Sequence, residues 1–460
     1  MNKLKSFKIR KLHGFKNYNI KFKDNTLILV GENGAGKTTI LRMLYYIISG
    51  QLNALAKFKF ETISLEVENE TFSINSSDLN KGFRFSDKEF LRHFPLQIRR
   101  RIIEMLDEFE GRDMPLSQLE MLCNRYDIPF HMIMREFDFD RPTSYSEADK
   151  KLKRNLENIK KSFGETQVLY LPTYRRIEQE LSTIFKGIDE DELRHRKHLI
   201  RKPKNINYTE LIEFGMRDVN QSIINTLERL KEFARESLNS LTLGYLGDVV
   251  DQKYTEVDVR QIKKASNEMI TNILERIDIK ILSADSKKHL SETIDNVKGG
   301  KKPDVHAKVI CHYFIKLLNF QQELNKKEYK IRRFCEVCNK YMEDKVFEYM
   351  SSSFSFAISP KKNIPIKNEI KLDQLSSGEK QIVSLFSHLY LSYEKKFFVM
   401  IDEPELSLSV PWQRQFLVDI KHGEFCSGLI AVTHSPFIYE NELDNYAHGL
   451  GEFLTMEKQK

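Results

Sequence analysis

One segment near the amino terminus has the residue types and spacing of a phosphate-binding loop. Residues 31–38 read Gly-Glu-Asn-Gly-Ala-Gly-Lys-Thr, which matches the pattern G-x-x-x-x-G-K-[ST] in full. Glycines let successive backbone N–H groups curl around phosphate oxygens, and the start of the following helix attracts anions. In this pattern Lys37 reaches the β- and γ-phosphates, and the Thr38 hydroxyl binds Mg²⁺. The predicted phosphate-binding residues are Gly31, Glu32, Asn33, Gly34, Ala35, Gly36, Lys37, Thr38 and Thr39.

An apolar run that ends in two acids forms a second candidate segment. Residues 397–403 read Phe-Phe-Val-Met-Ile-Asp-Glu. At the end of such a strand Asp402 can hold Mg²⁺ together with Thr38, and Glu403 can act as the general base that polarises the attacking water. An acidic cap on an ordinary strand is the alternative interpretation. The phosphate-loop pattern upstream favours the catalytic one.

Two shorter motifs lie on either side of this acidic segment. Leu-Ser-Ser-Gly-Glu at 375–379 precedes a helical pattern, so Ser376 and Gly378 open a helix. Such a turn is an ordinary helix cap, and the same geometry is also an anion site. Thr-His-Ser-Pro at 433–436 follows a strand-like run and places His434 where a γ-phosphate sensor would lie.

Hydrophobic periodicity predicts the elements that must position these motifs. A helix is expected over 36–48, and mainly helical patterns cover 80–160 and 205–350, with breaks near 244–247 and 296–303. Strands are expected within 4–22, 26–30, 57–74 (a hairpin that turns at 68–70), 167–171, 354–358, 397–401 and 428–433.

Composition limits the class of protein. Of the 460 residues, 40% are hydrophobic, which is enough for a sizeable core, and the net charge of +7 is only mildly basic. No apolar run approaches the roughly 18 residues that a membrane helix needs. Five cysteines do not make a disulfide framework in a chain of this length. We therefore expect a cytoplasmic, reduced protein without membrane contact.

The order of the four motifs resembles that of a known family. ABC-type ATPases of the SMC/OLD-like group, also called AAA15, carry GENGAGKTT, LSSGE, IDEPE and THSP in this order. The resemblance implies an α/β fold: an ABC-type ATPase head, with a P-loop sheet and an antiparallel β subdomain, split by a large helical insertion. It also implies ATP and Mg²⁺ as cofactors and an ATPase activity that is slow and depends on assembly.

The resemblance assigns roles to matching residues. It makes Asp402 a Mg²⁺ ligand with Thr38, Glu403 the general base, and His434 the switch residue. Ser376 and Gly378 become a signature that closes on the γ-phosphate held by another subunit, so the chain is expected to form a head-to-tail dimer or a higher homo-oligomer. Residues 405–408 resemble the D-loop that couples two opposed sites. Gln167 is a weak candidate for the Q-loop glutamine.

Three segments follow from this interpretation. Residues 1–80 form the first half of the ATPase lobe, with the P-loop. Residues 81–350 form a mainly helical insertion, within which a strand at 166–180 returns to the lobe. Residues 351–460 form the second half, with the signature, the acidic strand and the switch histidine.

Two further segments narrow the resemblance to one kind of ATPase subunit. Leu-Pro-Thr-Tyr-Arg-Arg-Ile-Glu at 171–178 and Glu-Phe-Gly-Met at 213–216 are similar to segments of the ATPase subunits of phage-defence systems, PARIS (AriA-like) first and Septu (PtuA-like) second. The implied function is an ATP-binding and ATP-hydrolysing sensor or scaffold that holds or releases a separate toxic effector, a nuclease. OLD relatives carry a nuclease domain after the ATPase lobe, whereas this sequence stops soon after 433–436, so we expect the effector in trans. The implied trigger is a phage protein, for which an acidic DNA mimic is one candidate, and DNA is another candidate partner.

Other classes of function remain open at this point. An SMC-like head for DNA repair or DNA organisation is the main alternative, although the distance along the chain from Gly36 to Gly378 is short for long paired arms. The ATPase subunit of a transporter normally has its signature much closer to the P-loop. A nucleotide-binding scaffold with negligible turnover is the remaining alternative.

Three further sequence signals are weaker, and ordinary structural interpretations compete with the functional ones. Cys335 and Cys338 have a zinc-ligand spacing, but a buried helical face is the favoured interpretation. Asp138 and Asp140 look like a solvated loop rather than a metal pair. The Lys- and Arg-rich stretch 194–204 is the first candidate for contact with DNA or with an acidic protein.

Overall fold

The chain forms two units of structure. The computed structural model describes residues 3–68, 70–79, 147–172, 208–210, 216–276, 283–361, 370–392 and 395–455, with the single helical positions 99, 103 and 125. Contacts divide the chain into a first unit, Met1–Ile212 with Lys395–Lys460, and a second unit, Glu213–Glu394.

The described residues contain strands and helices that we number in chain order. The strands are β1 (Leu4–Leu12), β2 (Lys16–Lys21), β3 (Thr26–Val30), β4 (Thr62–Val67), β5 (Glu70–Asn75), β6 (Gln167–Leu171), β7 (Tyr208–Glu210), β8 (Lys345–Met350), β9 (Ser355–Pro360), β10 (Phe397–Asp402), β11 (Cys426–Thr433), β12 (Ala447–Gly449) and β13 (Leu454–Thr455). The α-helices are α1 (Lys37–Ser49), α2 (Leu52–Leu55), α3 (Ser76–Leu79), α4 (Glu147–Phe163), α5 (Met216–Val250), α6 (Arg260–Lys264), α7 (Asn267–Arg276), α8 (Ala284–Lys298), α9 (Val305–Lys340), α10 (Ser377–Leu391) and α11 (Val410–Lys421). Short 3-10 helices lie at Lys253–Glu256, Leu372–Gln374, Pro436–Ile438, Asp444–Tyr446 and Leu450–Phe453.

The first unit is built around a six-stranded parallel sheet. Its strand order is β12-β3-β11-β10-β6-β7, and every neighbouring pair is parallel. Helix α1 packs against β11, β10 and β6, and α11 packs against β11. Because both faces of the central strands are covered, β10 is buried at all six positions. The continuous apolar runs of the sequence therefore mark the centre of this sheet.

A second, antiparallel sheet completes the first unit. Its strand order is β13-β2-β1-β4-β5, and the hairpin of β4 and β5 turns at 68–70 as predicted. Its buried side chains share one core with α1 and with the alternate residues of β10 and β11 that face α1. The predicted α/β head, with a parallel P-loop sheet and an antiparallel β subdomain, is confirmed.

The second unit is mainly helical. Helices α5 and α9, of 35 and 36 residues, pack against each other, and α10 packs against both. The antiparallel hairpin of β8 and β9 belongs to the same unit. The break predicted over 296–303 is confirmed, because α8 ends at Lys298 and α9 begins at Val305.

Two predictions for this unit were wrong. No break occurs at Gly244 and Gly247, since α5 continues through both. Isolated glycines cost a helix only about 1 kcal/mol each, and contacts to α9 hold the helix at this level: the Tyr245 hydroxyl donates to the carbonyl of Val309, and Asp248 pairs with His312 at 3.1 Å. Residues 345–350, predicted as helix, form β8.

The division into units differs from the predicted segments. The predicted boundaries were 80/81 and 350/351, whereas contacts divide the chain at 212/213 and 394/395. Residues 351–392 group with the helical part because α10 packs against α5 and α9. The signature motif therefore lies in the second unit, and the P-loop and the acidic strand lie in the first.

The weaker sequence signals resolve as follows. Cys335 and Cys338 lie buried on α9, and burial raises the pKa of Cys335 to about 12. Within the described ranges, no group of three or more metal-binding side chains is found. Among the helices that the structure describes, none is both long and apolar enough to cross a bilayer. Asp138, Asp140 and the stretch 194–204 lie outside the described residues.

Close packing at Gly428 gives a prediction about stability. A Cβ at Gly428 would lie 2.4 Å from the Phe398 ring, so Gly428→Ala overpacks the sheet and should lower the free energy of unfolding by about 1–3 kcal/mol. Urea unfolding followed by circular dichroism measures this change. The matched control is Gly244→Ala on the exposed side of α5, where the same substitution should stabilise by about 0.5–1 kcal/mol. A neutral or stabilising effect at Gly428 would contradict the packing described.

Candidate functional site

The predicted site residues converge at one edge of the parallel sheet. Strand β11 lies between β3 and β10, with Val30 opposite Thr433 and Val432 opposite Asp402. The carboxyl ends of these three strands therefore lie side by side. The P-loop, the acidic pair and the predicted switch residue His434 each lie at that edge, where ligands bind in open α/β sheets.

The P-loop leads directly into α1. Gly36 caps this helix with a left-handed backbone, at φ 101°, and the first turn of α1 contains no acidic residue. Lys37 is only 6% exposed, and its Nζ donates to the carbonyl oxygens of Gly31, at 2.6 Å, and Glu32, at 3.0 Å. A helix amino terminus beside a buried lysine suits phosphate oxygens.

The two predicted Mg²⁺ ligands are in contact. The Thr38 hydroxyl donates to a carboxylate oxygen of Asp402 at 2.9 Å, although the two residues are 364 positions apart. Asp402 is 3% exposed. A hydroxyl and a carboxylate are hard oxygen donors of the kind that Mg²⁺ takes with nucleotide phosphates, so this donor set fits the ion.

Two residues near Asp402, Arg42 and Tyr170, were not identified from the sequence. Arg42 lies one turn after Thr38 on α1, and Tyr170 lies on β6 opposite Met400. Burial alone would lower the pKa of Arg42, but the nearby Tyr170 and Asp402 raise it above its ordinary value. Burial, with Asp402 second, raises the pKa of Tyr170. Arg42 therefore supplies positive charge beside a buried carboxylate, and its i+4 spacing from Thr38 was the signal available in the sequence.

Glu403 occupies a strained position at the end of β10. Its backbone is left-handed, at φ 52°, which costs a non-glycine residue free energy, and its N–H donates to the carbonyl of Val432 at 2.9 Å. Partial burial, then the charges of Asp402 and Glu405, raise the pKa of Glu403, while His434 and Lys37 oppose the shift. A raised pKa makes this carboxylate a stronger base.

Glu405 holds His434 by its backbone and its ring. It accepts from the Thr433 hydroxyl at 2.8 Å, from the His434 N–H at 3.0 Å, and pairs with His434 Nδ1 at 2.8 Å. A second contact, which the sequence did not indicate, joins the same two parts of the chain: the Ser435 hydroxyl donates to the Gln413 side chain at 2.7 Å. The segments that follow β10 and β11 are thereby joined.

The signature residues form a capped helix start in the second unit. Ser376 is the N-cap of α10, and its backbone N–H donates to Glu379 at 2.7 Å, while its hydroxyl accepts from the Glu379 N–H at 3.4 Å. Gly378 is buried in the first turn. Lys345 of β8 pairs with Glu379 at 3.0 Å. The ordinary cap geometry is thus present at the predicted anion site.

The Q-loop candidate lies at the wrong end of its strand. Gln167 begins β6 and lies opposite Phe397, five residues before Asp402. Five strand residues span about 16 Å. Gln167 is therefore at the amino edge of the sheet, away from the P-loop.

The chain is similar to known proteins in sequence and in structure. A family model described as an AAA ATPase domain, AAA_15, matches residues 2–439. Curated proteins give no match. Among solved structures, the chain is similar to the Smc head domain with an extended coiled coil bound to the C-terminal domain of ScpA, from Pyrococcus furiosus. That similarity has 12% identity and a TM-score of 0.35, and it covers 95% of this chain and 91% of that one.

The raised pKa of Glu403 predicts a pH-dependent change in stability. A carboxyl whose pKa is higher in the folded than in the unfolded protein weakens folding once it ionises. That penalty is absent below the ordinary glutamate pKa, about 4.5, and complete above the raised value. Glu403→Gln should therefore raise the free energy of unfolding at pH 7, and the gain should vanish as the pH falls towards about 4.

A matched control separates charge from backbone strain. Glu68 has the same left-handed backbone, at φ 52°, but an exposed side chain. Glu68→Gln should leave stability unchanged over this pH range, as followed by thermal unfolding. A gain for Glu403→Gln that is equal at pH 4 and pH 7 would refute the electrostatic explanation.

Proposed function

The chain belongs to the AAA ATPase domain family AAA_15, and on that premise we propose that it is the ATP-hydrolysing sensor of an anti-phage defence system, which holds or releases a separate toxic effector. The contact between Thr38 and Asp402, with Glu403 next in sequence, carries the ATPase part of the proposal. It gathers a phosphate loop, a metal-ligand pair and a base at one sheet edge. Hydrolysis at this edge would set the state of the sensor.

Each residue at the edge has a role in hydrolysis. Bound ATP would supply the γ-phosphoryl group, and the Mg²⁺ ion would neutralise the negative charge of that group. Lys37 and the start of α1 would hold phosphate oxygens, and Thr38 and Asp402 would hold the metal. Glu403 orients water and accepts its proton, which its raised pKa favours. His434 senses the γ-phosphate.

Assembly completes the site. The signature turn at Ser376 opens α10, and the amino terminus of a helix binds anions. We assign this turn to the nucleotide of a second copy, so that ATP joins two chains head to tail and hydrolysis separates them. A single chain would then be a poor ATPase, and larger homo-oligomers would follow the same rule.

The sensor role rests on two sequence segments. Residues 171–178 and 213–216 are similar to segments of PARIS (AriA-like) and Septu (PtuA-like) ATPase subunits. The proposed partners are a nuclease effector in trans and a phage protein as trigger, for example an acidic DNA mimic, in the cytoplasm. A change of oligomeric state on hydrolysis gives such a sensor a way to release its effector.

A second candidate function is an SMC-like head that organises or repairs DNA. The pairing of α5 with α9 favours it, since 36 helical residues make a helix about 54 Å long, which is the length of a short arm. DNA binding that weakens steeply with salt and changes with ATP would support this alternative.

The split site predicts opposite behaviour for two variants. Glu403→Gln removes the base but keeps the phosphate loop, so it should trap the ATP-bound assembly. Lys37→Ala removes a phosphate contact and should prevent assembly. Mass photometry with and without Mg²⁺-ATP measures the difference, and equal particle sizes for both variants would contradict a nucleotide-joined dimer.

The trapped variant also tests the sensor role. Glu403→Gln should co-purify with the product of the neighbouring gene in an ATP-dependent manner, whereas Lys37→Ala should not. Retention of a nuclease-like protein would support the sensor, and loss of retention on ATP hydrolysis by wild type would show release. If no protein is retained and DNA binds instead, the SMC-like head is the better account.

A further inference from the structure

The Glu405 carboxylate makes its hydrogen bonds to one short segment, Thr433 and His434. Its side chain is 5% exposed. One oxygen accepts from the Thr433 hydroxyl, and the other accepts from the backbone N–H of His434 and meets His434 Nδ1 at 2.8 Å. A buried carboxylate is stable only when it is hydrogen-bonded in this way. The position of His434 is therefore fixed by Glu405 at two points, its backbone and its ring.

The contact decides which nitrogen of the imidazole is available. Nδ1 of His434 faces a carboxylate, so it carries a proton and donates. Nε2 is then the nitrogen left to meet a ligand, and 44% of the side chain is exposed. Without Glu405, the ring could rotate and exchange its tautomers.

The segment that carries Glu405 is itself rigidly held. Glu403 and Ser407, at φ 52° and φ 62°, bracket it with left-handed backbone. The Gln413 side chain donates to the carbonyl of Leu408 at 2.9 Å and accepts from the Ser435 hydroxyl at 2.7 Å. Two independent links thus join the segment after β10 to the segment after β11, and Glu405 supplies the link nearest the ring.

We propose that Glu405 is a positioning residue, which holds His434 by Nδ1 so that Nε2, when it also carries a proton, can donate to an oxygen of the γ-phosphate. This inference rests on the proposed ATPase function. It separates the two acids that follow Asp402: Glu403 acts on water, and Glu405 acts only through His434. It also links the γ-phosphate sensor to residues 405–408, which resemble a coupling loop between two opposed sites.

A double-mutant cycle tests this role. Glu405→Gln should lower kcat for ATP hydrolysis by about 10- to 100-fold while the Kd for ATP stays unchanged, because orientation and not phosphate binding is lost. In a His434→Ala background, the same substitution should change kcat by less than about 2-fold, since the group that it positions is gone. An equal loss of kcat in both backgrounds would overturn the proposal and leave Glu405 a structural residue.

The chain offers a matched control for the pair. Glu442 pairs with His422 at 2.8 Å, with both side chains about half exposed, just beyond α11. Glu442→Gln removes a histidine–glutamate pair of similar length and should leave kcat unchanged. A loss of kcat equal to that of Glu405→Gln would show a general effect of removing such pairs, and would overturn the specific role.

A spectroscopic measurement on wild type keeps the test independent of activity and of whether Glu405→Gln folds. In ¹⁵N-histidine-labelled wild type, with the signal of His434 assigned by its loss in His434→Asn, Nδ1 should carry a proton. An unprotonated Nδ1 would overturn the proposal even if Glu405→Gln failed to fold. If wild type hydrolyses no ATP while Nδ1 is protonated as expected, the proposed function fails and the local geometry stands.

Discussion

The hydrogen bond between Thr38 and Asp402 is the contact on which the rest of the site depends. It joins residues 364 positions apart, so it exists only because β3, β11 and β10 lie side by side and parallel. All three strands are buried on both faces, so apolar packing on each side holds them in the interior of the sheet. The core of the first unit therefore determines where the predicted site residues meet.

Negative charge is concentrated at this edge, and the structure compensates for it residue by residue. Asp402 receives the Thr38 hydroxyl and lies near the charged Arg42. Glu405 is saturated by donors from Thr433 and His434. Glu403 has the least compensation of the three, and burial, then the charges of Asp402 and Glu405, raise its pKa. The acid with the least support is the one to which we assign the general-base role.

The elements that could be predicted from the sequence are those defined by a signal within a few neighbouring residues. Strands β3 and β6 were predicted to the residue, as 26–30 and 167–171, and α1 and the 296–303 break were close, because apolar runs and glycine stops act over a few residues. The site residues of the first unit could be named because their motifs end strands whose parallel order brings them together. What the sequence could not supply depends on distant packing: α5 runs through Gly244 because α9 supports it, and Tyr170 matters only because β6 lies beside β10. The division into units differs from the predicted segments for the same reason, since α10 packs against α5 and α9.

The most direct test of the account is steady-state phosphate release from saturating Mg²⁺-ATP by wild type, Thr38→Val, Asp402→Asn and the double variant. Wild type should show measurable turnover, and each single variant should lose about 100-fold or more, because each removes a ligand of one metal ion. The double variant should be no worse than the poorer single one. Turnover by Asp402→Asn at the wild-type rate, or losses that multiply in the double variant, would contradict a shared metal site at this edge of the sheet.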